Sequence, residues 1–153
     1  MKRNENIAAL SRDHHFGLLF CWKIREALKR GVATDRILPY LDYFMDNHLR
    51  AHFEIEEKLL LNGCSHPLCQ QAQAEHRQIR DDFKKAASGN SALLLSLADR
   101  LERHIRFEER TLFPQLEILL TKTALKEIGC RLNEFEQQQQ KDEYPDEFWK
   151  KSP

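Results

Sequence analysis

Two stretches of the sequence repeat one pattern of residues that could bind a metal. "HFEIEEKLL" begins at His52 and "HIRFEERTLF" at His104, and each places a glutamate one helical turn after the histidine. Residues four apart lie on the same face of an α-helix, so each stretch presents an imidazole beside a carboxylate. A buried carboxylate is costly unless it is paired or bound to a metal. The pattern therefore predicts two ligand pairs, His52–Glu56 and His104–Glu108.

Histidines on two further predicted helices point to the same place. Helical periodicity puts His14 on the apolar face of the first helix and His76 on that of the third. Counting residues from each turn at the helical rise places His14 level with His52, and His76 nearly level with Glu56. We therefore expect six side chains to converge on one layer of the interior: His14, His52, Glu56, His76, His104 and Glu108.

The types of these six residues indicate which metal they would bind. Imidazole and carboxylate without thiolate suit iron or manganese, and zinc less specifically. Six protein ligands are too many for one tetrahedral zinc ion but suit two metal ions. Two divalent ions bring four positive charges and the glutamates cancel two, which leaves room for a bridging hydroxide or oxide. The residue types therefore predict two metal ions, iron or manganese, with zinc less favoured.

The elements that must position these residues are helices. Five Gly and five Pro interrupt the chain, and they fall between long segments with helical periodicity. No alternating run typical of a strand is present. The short connections favour an all-α fold, an up-down-up-down antiparallel four-helix bundle with a short additional C-terminal helix. Helices are predicted over about 6–30, 35–61, 67–87, 91–121 and 123–138, with Pro114 kinking or dividing the fourth.

Length and charge limit the classes of function. The 153 residues predict one bundle domain over 1–140 and a polar C-terminal tail over 141–153. With 24 basic and 24 acidic side chains, the chain has no net attraction for nucleic acid or for an anionic membrane. No apolar run approaches the roughly 20 residues of a membrane span, and the N-terminus lacks the apolar centre of a secretory signal. We expect a cytoplasmic protein whose output would pass through a separate protein partner or a homodimer.

The four cysteines are spaced without a C-x-x-C pair. In a reducing cytosol we expect free thiols. "CSHPLC", from Cys64 to Cys69, has no second cysteine pair to complete a tetrahedral zinc site.

The set of motifs resembles the hemerythrin-like, or HHE cation-binding, proteins over about residues 6–120. The resemblance rests on one histidine in each of the first and third helices, "HFEIEE" in the second and "HIRFEERTLFP" in the fourth. It implies a four-helix bundle with a non-haem di-iron centre. Matching by motif assigns terminal ligands to the four histidines and bridging carboxylates to Glu56 and Glu108.

Two positions depart from the oxygen-carrying hemerythrins. Those proteins have a further histidine one turn before the one on the third helix, where this chain has Ala72, and an Asp after a longer gap where it has Glu108. The missing histidine predicts an open or water-filled position on one iron. His48, one turn before His52, is either the fifth nitrogen ligand or a buried histidine that hydrogen-bonds to the ligands.

Neighbouring residues compete with some of these assignments. In "DHH", His14 lies about 30° from the centre of the apolar face and His15 about 130°, which favours His14. The helical face predicted for the first helix includes Leu18 and Leu28. Next to the predicted ligands, we expect Asp13 and Glu75 to be surface charges, and Glu57 and Glu109 to face solvent or a helix edge. We expect His66 to lie in a turn as a bystander. The aromatic residues expected to line the core or the pocket are Trp22, Phe53, Phe107 and Phe113.

Three functions fit these residues. The first is a di-iron protein that binds or senses a small ligand (O2 or NO) or iron itself. The second is a di-iron enzyme that consumes peroxide or NO, or donates iron for cluster repair. The third is a helical interaction module that has lost its metal. No candidate general acid or redox cysteine lies beside the predicted ligands, which favours binding over catalysis, and the intact ligand set argues against the third function.

Overall fold

The computed structural model describes residues 2–138 and 142–151 as a helical bundle. These residues include no strand, which confirms the all-α prediction. None of the helices described is long and apolar enough to cross a membrane. Five helices follow one another: α1 (Ala8–Lys29), α2 (residues 34–61), α3 (Pro67–Ala87), α4 (residues 91–119) and α5 (Lys122–Gln138). Their ends agree with the predicted ends to within about two residues, the usual uncertainty of a helix boundary.

Two of the helices change their winding near the predicted ligands. α2 consists of α-helical Thr34–Phe44, a π-helical turn Met45–Leu49, α-helical Arg50–Glu56 and a second π-helical turn Glu57–Leu61. α4 consists of a 3₁₀ turn Ser91–Leu93, α-helical Leu94–Phe107, a π-helical turn Glu108–Leu112 and α-helical Phe113–Leu119. Pro114 has no N–H for the carbonyl one turn earlier, so the π-helical turn precedes it and the helix continues.

Contacts between neighbouring helices follow opposite chain directions. Between α1 and α2, Asp13 bonds to His52 and Lys23 to Tyr40, so one residue number rises as the other falls. This order favours the predicted up-down-up-down arrangement. The same reversed order holds for His14–Glu108 and Arg25–Asp99 in α1 and α4, Glu57–Arg80 and Leu61–Gln73 in α2 and α3, and Glu75–His104 and Asp82–Arg100 in α3 and α4.

The buried apolar residues form two clusters, one on each side of a polar layer. In α1, for example, Ala9 and Leu10 belong to one cluster, Phe20 and Ile24 to the other, and His14 lies between them. α2, α3 and α4 divide in the same way around their predicted ligands. Full burial of one Leu, Ile or Phe side chain contributes about 1.5–3 kcal/mol. The two clusters together therefore offset the cost of burying the polar layer.

The buried face of α1 differs from the predicted one. Leu18, Trp22 and Leu28 are 40%, 51% and 37% exposed, so their predicted places in the core are wrong. The buried face includes Gly17, which lies against α4: a Cβ there would be only 2.7 Å from Ile105 Cδ1. α1 and α4 therefore approach closely at this glycine, and the buried face of α1 runs through Gly17 and not through Leu18 or Leu28.

The C-terminal segment, residues 142–151, packs on the end of the bundle where α1 turns into α2. Phe148 and Trp149 are buried in the same cluster as Tyr40. The buried Lys23 ammonium pairs with Asp142 at 2.7 Å and lies 3.9 Å from the centre of the Trp149 ring. Residues 142–151, which the sequence indicates only as a polar tail, therefore contribute apolar contacts and one buried ion pair.

One pair of cysteines is oxidised, contrary to the expectation of four free thiols. Cys64 and Cys69 form a disulfide across the turn between α2 and α3, with their Cα atoms 6.1 Å apart. The turn reverses the chain at Gly63, whose φ of 76° suits glycine, and this brings the two residues within disulfide range. Cys21 and Cys130 are free.

Candidate metal centre

The structure brings all six predicted side chains into one buried layer. α1 and α3 contribute one each, α2 and α4 contribute two each, and none is more than 4% exposed. They are His14, His52, Glu56, His76, His104 and Glu108. The layer lies where the two apolar clusters meet, so the six side chains are shielded from solvent.

The six side chains form two groups that share both carboxylates. Within each group, ligand atoms from four residues lie within 4.8 Å of one another. The groups are His14, His52, Glu56 and Glu108, and Glu56, His76, His104 and Glu108. Each group therefore offers two imidazoles of its own and the same two carboxylates, an arrangement that suits two metal ions side by side.

Each carboxylate lies between histidines of the two groups. Glu56 Oε1 is 3.2 Å from His52 Nε2 and 3.3 Å from His76 Nε2. Glu108 Oε1 is 2.9 Å from His14 Nε2, and Glu108 Oε2 is 3.2 Å from His104 Nε2. Two donors that bind one metal at right angles, with bonds of about 2.1 Å, are themselves roughly 3 Å apart. The spacing therefore fits carboxylates that bridge two ions.

The inward-facing atoms of this layer make few hydrogen bonds. A buried polar atom without a partner costs about 1–3 kcal/mol, so a cluster of them needs an explanation. The atoms without a hydrogen bond are Nε2 of His52, His76 and His104, both oxygens of Glu56, and Oε2 of Glu108. All are nitrogen or oxygen donors that iron accepts, and metal ions between them would satisfy every one. The residues present therefore fit a centre of two metal ions.

Four more carboxylates hold the outer nitrogens of the histidines. The Nδ1 atoms of the four histidines lie 2.5–2.8 Å from carboxylate oxygens, in the pairs His14–Glu109, His52–Asp13, His76–Glu57 and His104–Glu75. With Nδ1–H donating outward, each Nε2 lone pair is directed to the centre, a tautomer assigned from these partners. Each carboxylate comes from one helix and each histidine from the next, so the pairs close a ring from α1 through α4 and back to α1.

The predicted surface placement is wrong for Asp13. Glu57 and Glu109 lie at helix edges, as expected, and Glu75 is 30% exposed, but the bonds of all four to histidines were not predicted. Asp13 is only 5% exposed, and the other three are partly buried against the histidines. Each stands next to a ligand in the sequence. A neighbour is turned about 100° around the helix, and at the corner of a bundle this direction faces the adjacent helix. Sequence adjacency to a ligand is therefore the signal that could have identified them.

Arginine side chains support two of these pairs in the same manner. Arg80 binds both oxygens of Glu57, at 2.9 and 3.1 Å, and its guanidinium lies 5.3 Å from the centre of the Phe53 ring. Phe53 in turn stacks on His76 with ring centres 4.0 Å apart. The arginine thus holds the carboxylate partner of His76 and the aromatic ring on its face.

On the opposite side of the centre, Arg3 takes the corresponding position. It pairs with Glu109 at 3.2 Å, and its guanidinium lies 5.5 Å from the centre of the Phe113 ring. Phe113 stacks on His14 with ring centres 5.5 Å apart and planes 9° from parallel. Both Phe53 and Phe113 line the centre, as predicted, whereas nothing in the sequence alone connects them with arginines.

Burial and the facing charges shift the pKa values of the ligands in opposite directions. Burial lowers the pKa of His52, but the charge of Glu56 and the hydrogen bond to Asp13 outweigh it and raise the pKa to about 9. Burial likewise opposes protonation of His76, whose carboxylate partners raise its pKa to about 11. Burial and Glu108 raise the pKa of Glu56, while His52 and His14 lower it to about 2 overall. Without metal, the centre therefore binds protons on its histidines and keeps its carboxylates ionised.

The charges around the layer balance two divalent cations. Six carboxylates surround or enter it, and Arg3 and Arg80 contribute two positive charges, which leaves four negative charges. Four protonated imidazoles would neutralise these charges, and so would two divalent cations with neutral imidazoles. Protons and metal ions are thus alternative occupants, so metal binding should release protons.

The competing histidines take separate positions. His15 is exposed, whereas His14 points inward. His66 accepts a hydrogen bond from Leu68 N at the start of α3. His48 is buried, with Nε2 3.4 Å from an Asp13 oxygen, and belongs to neither group of four. The structure thus places His48 beside the carboxylate partner of His52.

A small cavity of about 10 Å³, the room of roughly one water molecule, adjoins both histidines of the first group and His104 of the second. Gly17, His48, Leu101 and Ile105 are among its other walls. Ala72 does not line it. The Ala72 side chain is fully buried in the apolar cluster on the opposite side of the polar layer, the cluster that contains Leu112 and Phe113.

Comparison with known proteins gives one match. The model of the hemerythrin HHE cation binding domain matches residues 5–116, which include all six ligands and the four outer carboxylates. No curated protein matches the chain. No solved structure matches it either.

Proposed function

The chain belongs to the hemerythrin HHE cation binding domain family, and we propose that it holds two iron ions and reversibly binds a small ligand such as O2 or NO. The observation that carries this proposal is the sharing of two buried carboxylates by two groups of histidines. One metal would lie between His14 and His52, and the other between His76 and His104. Glu56 and Glu108 would bridge them.

The protein supplies rigid and correctly oriented donors. Each Nδ1–H bond to an outer carboxylate fixes the plane of an imidazole and makes its Nε2 atom a better donor. Phe53 and Phe113 hold two of the rings from the side. Ferrous iron would supply the affinity for O2 or NO, because these ligands accept electrons from it.

The surroundings of the first group favour a small ligand. The cavity beside His14 and His52 has room for about one water molecule, and Leu101 and Ile105 make part of its wall apolar. A diatomic molecule suits a space of this size and polarity. A substrate of ordinary metabolite size would not enter without displacing the packed helices. The structure thus supports binding or sensing of a diatomic ligand more than chemistry on a larger substrate.

Anaerobic purification, metal analysis and absorption spectroscopy test this proposal. We expect about two irons per chain and a spectrum that changes on exposure to O2 or NO and returns when the gas is removed. Irreversible oxidation, with steady consumption of peroxide or NO, would support an enzyme. A chain that is fully helical but binds no metal would overturn the proposal in favour of an interaction module.

A further inference from the structure

Two cavities lie in series between the surface and the candidate metal centre. The inner one is the cavity of about 10 Å³ beside His14, His52 and His104. The outer one, of about 80 Å³, lies between α1 and α5. Its lining is Ala9, Arg12, Asp13, Phe16, Phe135 and Glu136. Asp13 lines both cavities, so the two are adjacent.

Two side chains of α1 form the wall between these cavities. Asp13 is held in place by His52 at 2.5 Å. Phe16 lines the outer cavity, and its ring centre is 4.8 Å from that of His48, which lines the inner one. Since Asp13 is fixed by a charge-assisted hydrogen bond and Phe16 makes only apolar and aromatic contacts here, the phenyl ring is the part of the wall that can move aside.

α5 forms the outer wall. Arg12 makes two hydrogen bonds to Glu136, both of 3.0 Å, and Phe135 contributes an apolar surface next to them. Both members of this ion pair are exposed, at 62% and 42% of their side chains. Exposed pairs contribute little, so α5 can separate from α1 here at small cost. α5 also lies beyond the residues that the family model matches.

We propose that small uncharged ligands enter between α1 and α5 and pass Phe16, which sets the upper limit of their size. The proposal rests on the proposed function, because it names the route to that same centre. The wall is apolar at Phe16 and Phe135 and carries the carboxylate of Asp13, so it favours neutral diatomic molecules over anions of similar size. The route selects by size and charge before a ligand reaches the metal.

The rate at which NO associates with the diferrous protein, followed by stopped-flow absorption, tests the route. Phe16→Trp should slow association by about tenfold or more, because a larger ring must move out of a packed position. Phe16→Leu should speed it. Glu136→Ala should speed it by about two- to fivefold, the effect of one exposed ion pair on an equilibrium. Glu127→Ala, which removes an ion pair within α5 that does not face α1, is the matched control and should change nothing.

A second readout separates the route from the iron chemistry. In the zinc-loaded protein, which is diamagnetic, dissolved O2 should broaden the methyl NMR signals of Leu101 and Ile105 in the inner cavity. The broadening reports how far O2 occupies the inner cavity, so Phe16→Trp should weaken it, because the larger indole next to His48 leaves O2 less room. If the wild type fails to bind NO but shows the broadening, the proposed function fails and the route stands. If neither Phe16 variant changes the NO rate or the broadening, the route is wrong whatever the centre binds.

Discussion

The two halves of the metal centre share two carboxylates and each have two histidines, but the residues around those histidines differ. The first half-centre has His14 and His52, and the second has His76 and His104. In each half, one histidine has an arginine-held glutamate at Nδ1 and a stacked phenylalanine on its face. This correspondence relates α1 and α2 to α3 and α4, and it explains why both halves offer one metal position each.

The difference concerns the other histidine of each half. Asp13, the partner of His52, is 5% exposed and lies between the two cavities. Glu75, the partner of His104, has a side chain that is 30% exposed and accepts a hydrogen bond from Gln71. It borders a surface groove of about 320 Å³. The common donors therefore suit a metal ion in both halves. The inner cavity touches both histidines of the first half and only His104 of the second, so the first half-centre is the one where we propose that the small ligand binds.

The largest expected effect comes from a residue that both halves share. Glu108→Gln removes one bridging carboxylate and one of the charges that two cations require, so iron content should fall from two per chain to nearly none. Iron analysis after anaerobic loading measures this. Glu127→Gln, on exposed α5 surface, should keep both ions. Two ions retained in Glu108→Gln would show that the halves do not depend on a common bridge.

Histidine substitutions should separate the halves. His52→Ala and His104→Ala should each lose about one iron, and each leaves a buried carboxylate short of a partner, which costs several kcal/mol of unfolding free energy. His52→Ala should weaken NO binding more than His104→Ala does, because both histidines of the first half line the cavity and only His104 of the second half does. Metal analysis with NO titration tests the pair, with His15→Ala and His66→Ala as unaffected controls. Equal loss of NO binding in both would contradict the assignment of the ligand to one half.

The direction in which stability changes with pH should be opposite in the metal-free and the metal-bound protein. Without metal, carboxylates raise the pKa of His52 from 6.5 to about 9 despite its burial, so this stabilisation is complete below 6.5 and lost as pH rises through about 9. With metal, protons compete for the same nitrogens, so affinity rises with pH. Melting temperatures at pH 6 and pH 9 should fall with pH for the metal-free protein only. A parallel fall in both forms would show that metal does not replace the protons.

Substitution of an outer carboxylate should change metal binding least, and substitutions of Asp13 and Glu75 compare the surroundings of the two halves. Loss of such a partner typically lowers metal affinity by about 10- to 100-fold. Asp13→Asn should lie at the upper end, because Asp13 is only 5% exposed, and Glu75→Gln at the lower end, because bulk solvent reaches that position. Competition with a metal chelator measures both affinities. An equal loss would mean that exposure of the partner does not distinguish the halves.

The sequence was sufficient for the helices and for the ligands. Long apolar periods, broken only at turns such as Gly31 and Gly63, define helices whose ends agree with the structure. The ligands could be predicted because inward-facing His and Glu at one depth are expensive without a purpose, as for His52 and Glu56. Both predictions use information within one helix.

What the sequence did not reveal depends on relations between helices. Asp13 is polar and precedes a ligand, and only the position of α2 shows that it bonds to His52. Gly17 has no side chain, yet it lies on the buried face where α1 meets α4, a contact that the periodicity of one helix does not register. The Cys64–Cys69 bond likewise requires the path of the turn, because spacing alone does not give the separation of Cα atoms.

Anomalous X-ray diffraction at the iron absorption edge, from crystals grown with ferrous iron under anaerobic conditions, tests the central claim most directly. We predict two peaks of similar height, one between His14 and His52 and the other between His76 and His104, with Glu56 and Glu108 in contact with both. A single peak, or peaks that do not share these two carboxylates, would contradict it.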